Sequence, residues 1–318
     1  MMIAVLVLLI IALAVIGCSK SENQNELIIF HAGSLSVPFR EISNAFHEKY
    51  PDVVISAEAA GTRDSARKIS ELGRRCDVFG AADYVVVRDL LMPEHAGYNI
   101  RFATNEMAIA YTEKSRHRQD IDSDNWHIIL LRKDVNFGRS DPDRDPCGYR
   151  TIMLFQLAEK HYGLPGLAEK LESKHGSRFI RPKETDMLAL LEAGEIDYLF
   201  IYRSVIEQHG LKMVRLPDEI NLSSTEMAEI YGSAQVSVTG KKPGEYITMV
   251  GEPIVYSVTI PRSARNPLLA EKWVQFLLSS EGQAIMEEQG QSPIVPARVM
   301  GDEKLPASLT RYCIQAGD

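Results

Sequence analysis

Short apolar segments alternate with amphipathic segments from residue 27 onwards, and this alternation limits the possible folds more than any other feature. Residues 27–30 are apolar, and beyond a loop of small residues the apolar positions after Pro38 recur at helical spacing. A short apolar run predicts a buried strand, whereas recurrence every three or four residues predicts an amphipathic helix. Strands and helices that alternate through short loops predict an α/β fold with a parallel, doubly wound sheet.

The predicted elements form two groups along the chain. Strands are predicted at residues 27–30, 53–55, 77–80, 107–111, 135–138, 198–202 and 253–260, and helices at 38–50, 63–72, 149–161, 185–193, 267–278 and 281–289. The pattern restarts after Phe102, and 318 residues favour two domains. We therefore predict one βα lobe at 27–102 plus 257–318 and a second at 103–256. A ligand would lie in the cleft between them.

The first residues are typical of an export signal. Residues 1–16 are almost unbroken apolar sequence, too short to span a bilayer comfortably, and Gly17 and Cys18 follow. We predict a signal peptide at 1–18 with lipoprotein-like cleavage before Cys18, which would become the lipidated first residue. An uncleaved anchor is the alternative. Polar residues 19–26 predict a tether, and hence a protein held at the outer face of the cell membrane.

Charge and cysteine content exclude some classes of function. The formal net charge of -8 disfavours nucleic acid as a partner. Cys76, Cys147 and Cys313 permit one disulfide in an exported protein, but the sequence does not select the pair. No C-x-x-C spacing is present, so no zinc or iron–sulfur cofactor is predicted.

Two glycine-containing loops lead from predicted strands into predicted helices. They are Gly33-Ser34 and Gly61-Thr62, both in the first lobe. Unpaired backbone N–H groups and the helix dipole make such loops suitable for anions. Each loop by itself also fits ordinary capping by a hydroxyl. Two of them after neighbouring strands favour an anion site.

Alternating acids in the second lobe raise the question of calcium. Asp141, Asp143 and Asp145 have the spacing of a calcium-binding loop, but Pro146 and Ile152 replace its required glycine and glutamate. We therefore favour a solvated acidic turn over a calcium site.

Four motifs resemble those of one transport family. They are HAGSLSVPF at 31–39, DPCGYRT at 145–151, RPKE at 181–184 and FIYRS at 200–204. The chain resembles the archaeal-type tungstate/molybdate-binding proteins, the substrate-binding components of ABC transporters, over about residues 27–291. The resemblance implies a type II periplasmic-binding-protein fold, with two βα lobes joined by a hinge. It also implies an ABC permease and its ATPase as partners; we expect a monomer that is not an enzyme.

The resemblance assigns five ligand-binding residues. Ser34 and Thr62 match serine positions of the family, although threonine adds a methyl group. Asp145 and Glu184 match the two acids that bond to tungsten or molybdenum. Tyr202 matches a tyrosine that donates its hydroxyl hydrogen; from the residues alone it fits a core tyrosine equally well. The hydroxyls and nearby backbone N–H groups would hold the oxo groups.

The two acids distinguish between classes of anion. A carboxylate repels sulfate or phosphate strongly in a dry cleft, so sites for those anions need neutral donors or arginine. Asp145 and Glu184 therefore favour tungstate or molybdate over a sulfate- or phosphate-class ligand, without ranking the two metalates. A secreted hydrolase using Ser34 with His31 is a further alternative, but the G-x-S-x-G motif is absent around Ser34.

Other polar side chains are given structural roles. We expect Arg63 and Asp64 to face solvent. Arg150 and Arg203 could neutralise the acids, but we favour surface ion pairs for both. His31 is expected to pack or to cap near the ligand loop.

Overall fold

The computed structural model describes residues 25–242 and 244–316. The predicted signal peptide, Cys18 and residues 19–24 of the predicted tether lie outside the described residues. Glu26, predicted to end the tether, is instead the first residue of a strand. Across the described ranges, no helix has the length and apolar character needed to cross a membrane.

Within those ranges the elements follow the predicted alternation. The strands are β1 (Glu26–His31), β2 (Val54–Ala59), β3 (Val78–Ala81), β4 (Asn99–Thr104), β5 (Met107–Tyr111), β6 (Phe137–Ser140), β7 (Ile180–Arg181), β8 (Tyr198–Tyr202), β9 (Lys212–Val214), β10 (Gln235–Thr239), β11 (Tyr246–Val250), β12 (Val255–Thr259), β13 (Ser292–Met300) and β14 (Cys313–Gln315). The helices are α1 (Ser36–Lys49), α2 (Thr62–Ser70), α3 (Tyr84–Leu90), α4 (Trp126–Leu130), α5 (Pro146–Tyr162), α6 (Leu167–Ser173), α7 (Leu188–Ala193), α8 (Arg203–Gln208), α9 (Asp218–Asn221), α10 (Ala228–Tyr231), α11 (Pro267–Leu277), α12 (Ser280–Glu288) and α13 (Ala307–Thr310). Short 3-10 turns lie at Gly33–Leu35, Glu184–Met187 and Thr225–Met227.

The described strands form two mixed sheets and a hairpin. One sheet has the order β14-β13-β4-β12-β3-β1-β2, the other β7-β6-β8-β5-β9, and β10 pairs with β11. β1 is parallel to β2 and β3, and β6 to β7 and β8. The predicted parallel pairing holds for these strands, but both sheets are mixed. β12 runs antiparallel to β3 and β4, and β5 runs antiparallel to β8 and β9. Antiparallel neighbours need no crossover helix, so a returning chain can join a sheet directly.

Each sheet takes its strands from a different part of the chain. The seven-stranded sheet and its helices are called the first lobe here, and the five-stranded sheet, the hairpin and their helices the second lobe. Only residues 105–106 separate β4 from β5. The backbone N–H of Asn105 donates to Ile254 O over 3.3 Å, so the outgoing and returning connections lie side by side. The boundaries predicted at 102 and 257 stay a prediction.

Helix α5 begins earlier than predicted, for a local reason. Its N-cap is Asp145, whose side chain accepts a hydrogen bond from the backbone N–H of Cys147, and Pro146 occupies the first helical position. Both features favour a helix start. The 3.6-residue periodicity, which led to the predicted start at 149, does not detect this capped first turn.

Buried aromatic rings hold α1 against the C-terminal helices. The Phe39 and Trp273 ring centroids lie 4.9 Å apart in an edge arrangement, and those of Phe46 and Phe276 lie 5.9 Å apart. Such contacts add to the burial of apolar area. Because the last three residues of β1 and every residue of β8 are also buried, the loops that leave these strands have rigid bases.

The three cysteines are not linked within the described part of the chain. Cys76 and Cys147 are buried thiols, and Cys313 is half-buried. Burial raises the pKa of each thiol, which keeps it protonated. They therefore act as small packing residues here.

Candidate functional site

The five predicted site residues are buried where the two lobes face each other. Ser34 lies in the 3-10 turn after β1, Thr62 begins α2, Asp145 caps α5, Glu184 begins the 3-10 turn after β7, and Tyr202 ends β8. None is more than 1% exposed. Each of them comes at or after the carboxyl end of a strand, which is where ligands bind in α/β sheets.

Asp145 and Glu184 form an adjacent pair of acids. The backbone N–H of Glu184 donates to Asp145 Oδ2 over 2.8 Å. Neither carboxylate oxygen of Glu184 has a hydrogen-bond partner among the described residues. The side chain lies against the first lobe, since a Cβ at Gly33 would be 2.9 Å from both of its oxygens. Glycine at position 33 therefore permits the close approach of a second-lobe acid.

Among the described residues, no cation is a leading influence on the pKa of either acid of the pair. Burial raises the pKa of Glu184 well above its ordinary value, and the negative charge of Asp145 raises it further. Burial also raises the pKa of Asp145, against the opposing effect of the hydrogen bonds from the backbone N–H groups of Glu184 and Cys147. Two buried carboxylates side by side repel each other when both are ionised. The arrangement is suited to a positive centre between them.

Two hydroxyl groups of the first lobe accept hydrogen bonds at this edge. Ser34 Oγ accepts from Tyr256 Oη over 2.9 Å, and Thr62 Oγ1 accepts from the backbone N–H of Ala82 over 3.2 Å. The backbone oxygen of Ser34 accepts from Gln291 Nε2 over 2.9 Å. Hydrogen bonds from Tyr256, Gln291 and Ala82 therefore hold both loops in place, and the sequence pattern did not select these three residues.

The N-terminus of α2 is used differently from the prediction. The loop pattern predicted unpaired N–H groups for an anion. Instead, the N–H groups of Arg63 and Asp64 donate to Arg144 O of the second lobe, over 3.1 Å and 3.3 Å. A Cβ at Gly61 would lie 2.3 Å from the same oxygen, which explains the glycine. These amides bind the opposite lobe.

Tyr202 is held by a buried arginine. Arg150 Nη1 donates to Tyr202 Oη over 2.9 Å and to Ala82 O over 2.8 Å. Its Nη2 lies 2.9 Å from Asp83 Oδ2, and the Tyr149 hydroxyl donates to the same carboxylate. Arg150 is 2% exposed, so the predicted surface ion pair was wrong: this ion pair is buried and joins the lobes.

The same sequence matches a described protein family. Residues 27–291 match the family of bacterial extracellular solute-binding proteins. The chain belongs to this family. It is 51% identical over 287 residues to an uncharacterized solute-binding protein of Petrotoga mobilis, covering 90% of this chain and 89% of that protein. It is 39% identical over 330 residues to the molybdate/tungstate-binding protein WtpA of Pyrococcus abyssi, covering 94% of each. The resemblance that the motifs indicated is thereby confirmed.

Solved structures share the fold of this solute-binding protein. The periplasmic molybdate-binding protein of Azotobacter vinelandii aligns with a TM-score of 0.62 at 16% identity, covering 83% of this chain and 98% of that one. The sulfate-binding protein SubI of Mycobacterium tuberculosis H37Rv aligns with a TM-score of 0.60 at 11% identity, covering 91% and 90%. At these identities the likeness shows the fold alone, and it confirms the predicted type II periplasmic-binding-protein fold.

One more prediction about this solute-binding protein was wrong. Arg63, expected to face solvent, is fully buried; its Nε donates to Asp143 O over 3.2 Å, and its guanidinium also donates to Thr239 O. Asp64 is half-buried and pairs with Arg144 over 2.8 Å. Helical position alone did not reveal this burial, because the covering surface belongs to the other lobe.

Two further expectations agree with the solute-binding protein's structure. His31 packs edge-on against Phe39, with ring centroids 5.6 Å apart, and its Nδ1 lies 2.8 Å from Ala32 O. Arg203 forms ion pairs with Glu106 and Glu207, over 2.9 Å and 2.8 Å. The packing role of His31 and the ion pairing of Arg203 are confirmed.

Proposed function

We propose that this solute-binding protein captures tungstate or molybdate between its lobes and delivers it to an ABC permease and its ATPase. The observation that carries the proposal is the buried Asp145–Glu184 pair, in which both Glu184 oxygens lack a hydrogen-bond partner among the described residues. Two relatives that are 39% identical to this chain, from Pyrococcus abyssi and Thermococcus kodakarensis, are molybdate/tungstate-binding proteins, which supports the same ligands.

The number of acids favours a metal that arrives with its own oxygens. No group of three or more His, Cys, Asp or Glu that could hold a metal ion occurs in residues 25–242 and 244–316. A bare hard cation needs more oxygen ligands than two carboxylates supply. Tungstate and molybdate already carry four oxo groups, so Asp145 and Glu184 would complete a six-coordinate metal. The positive metal would also offset the repulsion between the two acids.

The hydroxyl groups suit the oxo groups of the same anion. Ser34, Thr62 and Tyr202 each carry a hydrogen that can be donated to an oxygen acceptor. Sulfate offers equivalent oxygens, but its sulfur does not add carboxylate ligands. Asp145 and Glu184 would then face sulfate oxygens directly and repel them. We therefore propose discrimination against sulfate by the acids and retention of metalates by acids and hydroxyls together.

Delivery requires the protein to be exported and its lobes to move. We propose that ligand binding stabilises the lobe contacts made by Arg144 O and Arg150, and that this closed form docks on the permease.

We also propose export as a monomer bearing a lipid on Cys18, supported by the apolar run and by the extracellular description of the family. Mass spectrometry of the mature N-terminus from native membranes tests this, and an unprocessed chain would contradict it.

Calorimetric titration with tungstate, molybdate and sulfate tests the ligand assignment. We expect tight binding of both metalates and little heat from sulfate, because only the metalates accept the two carboxylates as ligands. Equal affinity for sulfate would overturn the proposal. The tungstate titration repeated with a large excess of sulfate shows directly whether the two anions compete for one site.

A further inference from the structure

Asn105 occupies the connection between the lobes and contacts both of them. It lies between β4 and β5 and is 4% exposed. Its amide Nδ2 donates to Ser204 Oγ of the second lobe over 2.7 Å and to Tyr256 Oη of the first lobe over 3.0 Å. A single side chain at the hinge thus touches residues beside two of the proposed ligand groups, Ser34 and Tyr202.

The orientation of this amide follows from an obligate donor. The backbone N–H of Glu106 donates to Asn105 Oδ1 over 2.9 Å. A backbone N–H cannot accept a hydrogen bond, so the oxygen of the amide must face it. The nitrogen therefore faces Tyr256, and an amide nitrogen only donates.

The Asn105 Nδ2 donor determines the direction of the hydrogen bond between Tyr256 and Ser34, and thereby the direction of the Ser34 hydrogen. Because the Tyr256 oxygen accepts from Asn105, the single hydrogen of Tyr256 is directed to Ser34 Oγ, 2.9 Å away. Ser34 Oγ accepts that bond, so its own hydrogen points elsewhere. We infer that Asn105 is a positioning residue, which acts through Tyr256 to orient the Ser34 hydroxyl as a donor to the bound oxyanion. The inference rests on the proposed function.

The same polarity recurs at the other two hydroxyls. Tyr202 Oη accepts from the guanidinium of Arg150, which has no acceptor atom, and Thr62 Oγ1 accepts from the backbone N–H of Ala82. These two hydroxyl oxygens each receive a bond from a group that can only donate, so each keeps its hydrogen for the ligand. Such preorganised donors suit an anion whose oxygens all accept, and they need no reorientation on binding.

The hydrogen bonds from Asn105 to Tyr256 and from Tyr256 to Ser34 are called the relay here. Replacing the amide donor of Asn105 by an acceptor reverses their direction. In Asn105→Asp, one oxygen still accepts from Glu106 and the other faces Tyr256, whose hydrogen turns towards it. Tyr256 then accepts from Ser34, which no longer donates to the ligand. We expect calorimetry to show tungstate affinity lowered by roughly tenfold or more, the scale of a hydrogen bond to a charged group.

A double-mutant cycle separates the relay from the added charge. In a Tyr256→Phe background the ring remains but the hydroxyl is gone, so Asn105→Asp changes the charge and the Ser204 contact but cannot act through Tyr256. We expect the loss of tungstate-binding free energy caused by Asn105→Asp in this background to be about a third or less of the loss in the wild type. Equal penalties in both backgrounds, with tungstate still bound by the wild type, would overturn the relay and leave the proposed function standing. Failure of the wild type to bind tungstate would overturn both.

A second cycle leaves the hinge residue untouched, in case Asn105→Asp does not fold. Tyr256→Phe should lower tungstate affinity in the wild type, because Ser34 loses the donor that orients it. In a Ser34→Ala background the same change should have no effect on affinity. An equal loss in both backgrounds would show that Tyr256 acts without Ser34 and would contradict the inference. Melting temperatures of the ligand-free variants verify that each is folded.

Discussion

Asp83 and Glu184 are both buried carboxylates at the boundary between the lobes, yet their surroundings are opposite. Asp83 lies 2.9 Å from the Arg150 guanidinium and accepts from the Tyr149 hydroxyl. Glu184 has another acid beside it, and neither of its oxygens has a hydrogen-bond partner among the described residues. The two acids therefore differ in what balances their charge within the closed arrangement.

The difference separates a charge that holds the lobes together from one that needs a ligand. A buried ion pair can be neutral for stability, but loss of one partner leaves a costly buried charge. An acid that has no partner is in that costly condition already, unless a proton or a metal balances it. The Asp83–Arg150 pair thus belongs to lobe contact, and the Asp145–Glu184 pair to our proposed ligand site.

Removal of either acid of the proposed site should have the largest effect. Asp145→Ala or Glu184→Ala should lower tungstate affinity by at least about a thousandfold, because loss of a direct metal ligand costs more than the 10–100-fold typical of an outer partner. Titration calorimetry measures this. Ser36→Ala, a nearby hydroxyl outside the proposed ligand set, should change affinity by no more than about twofold, or about 0.5 kcal/mol. Similar small losses in all three variants would contradict the site assignment.

Removal of the buried cation should have the next largest effect. Arg150→Met leaves Asp83 unpaired whenever the lobes close, which costs about 3 kcal/mol and lowers tungstate affinity by about a hundredfold. Adding Asp83→Asn removes the unpaired carboxylate charge, so the double variant should regain much of the tungstate affinity. The same Asp83→Asn change added to Glu184→Ala should regain none. Calorimetry measures tungstate affinity in each variant. If Asp83→Asn restored affinity in both the Arg150→Met and the Glu184→Ala backgrounds, the proposed difference between Asp83 and Glu184 would be contradicted.

The pH dependence of the ligand-free protein should show the smallest effect. The pKa of Glu184 is raised, so its stabilising contribution is present below the ordinary value of about 4.3 and is lost as pH rises through the raised value. Glu184→Gln cannot ionise. Its melting temperature minus that of the wild type should therefore increase by about 2 °C or more between about pH 4 and pH 8, as scanning calorimetry reports. A difference independent of pH would mean that the pKa of Glu184 is the same in the folded and the unfolded protein, which would contradict the raised pKa.

Local sequence patterns predicted much of the fold and the candidate site. The strands predicted at 107–111 and 198–202 have the bounds observed for β5 and β8. Periodicity detects such elements because burial on one or both faces is imposed along a single short segment. The acids were selected by motifs that also have local structural meaning, since Asp145 caps the helix that follows it.

Residues whose role depends on distant partners were missed or misread. Tyr256 is 222 positions from Ser34 along the chain, and no spacing rule connects them. Arg150 and Arg63 were predicted at the surface because a charged residue on a helix usually is exposed. Their burial results from the packing of one lobe on the other, which no single segment encodes.

The sequence by itself determined the α/β class, the positions of seven of the fourteen described strands and six of the thirteen described helices, and the strand ends that carry Ser34 and Tyr202. These features follow from backbone geometry and from burial within a few turns of chain. Only the tertiary structure decided that β12 enters the first sheet antiparallel, that Arg150 neutralises Asp83, and that Asn105 reaches Ser34 through Tyr256. Charge balance and hydrogen-bond direction are properties of pairs, and a pair exists only once folding has brought distant residues within bonding distance.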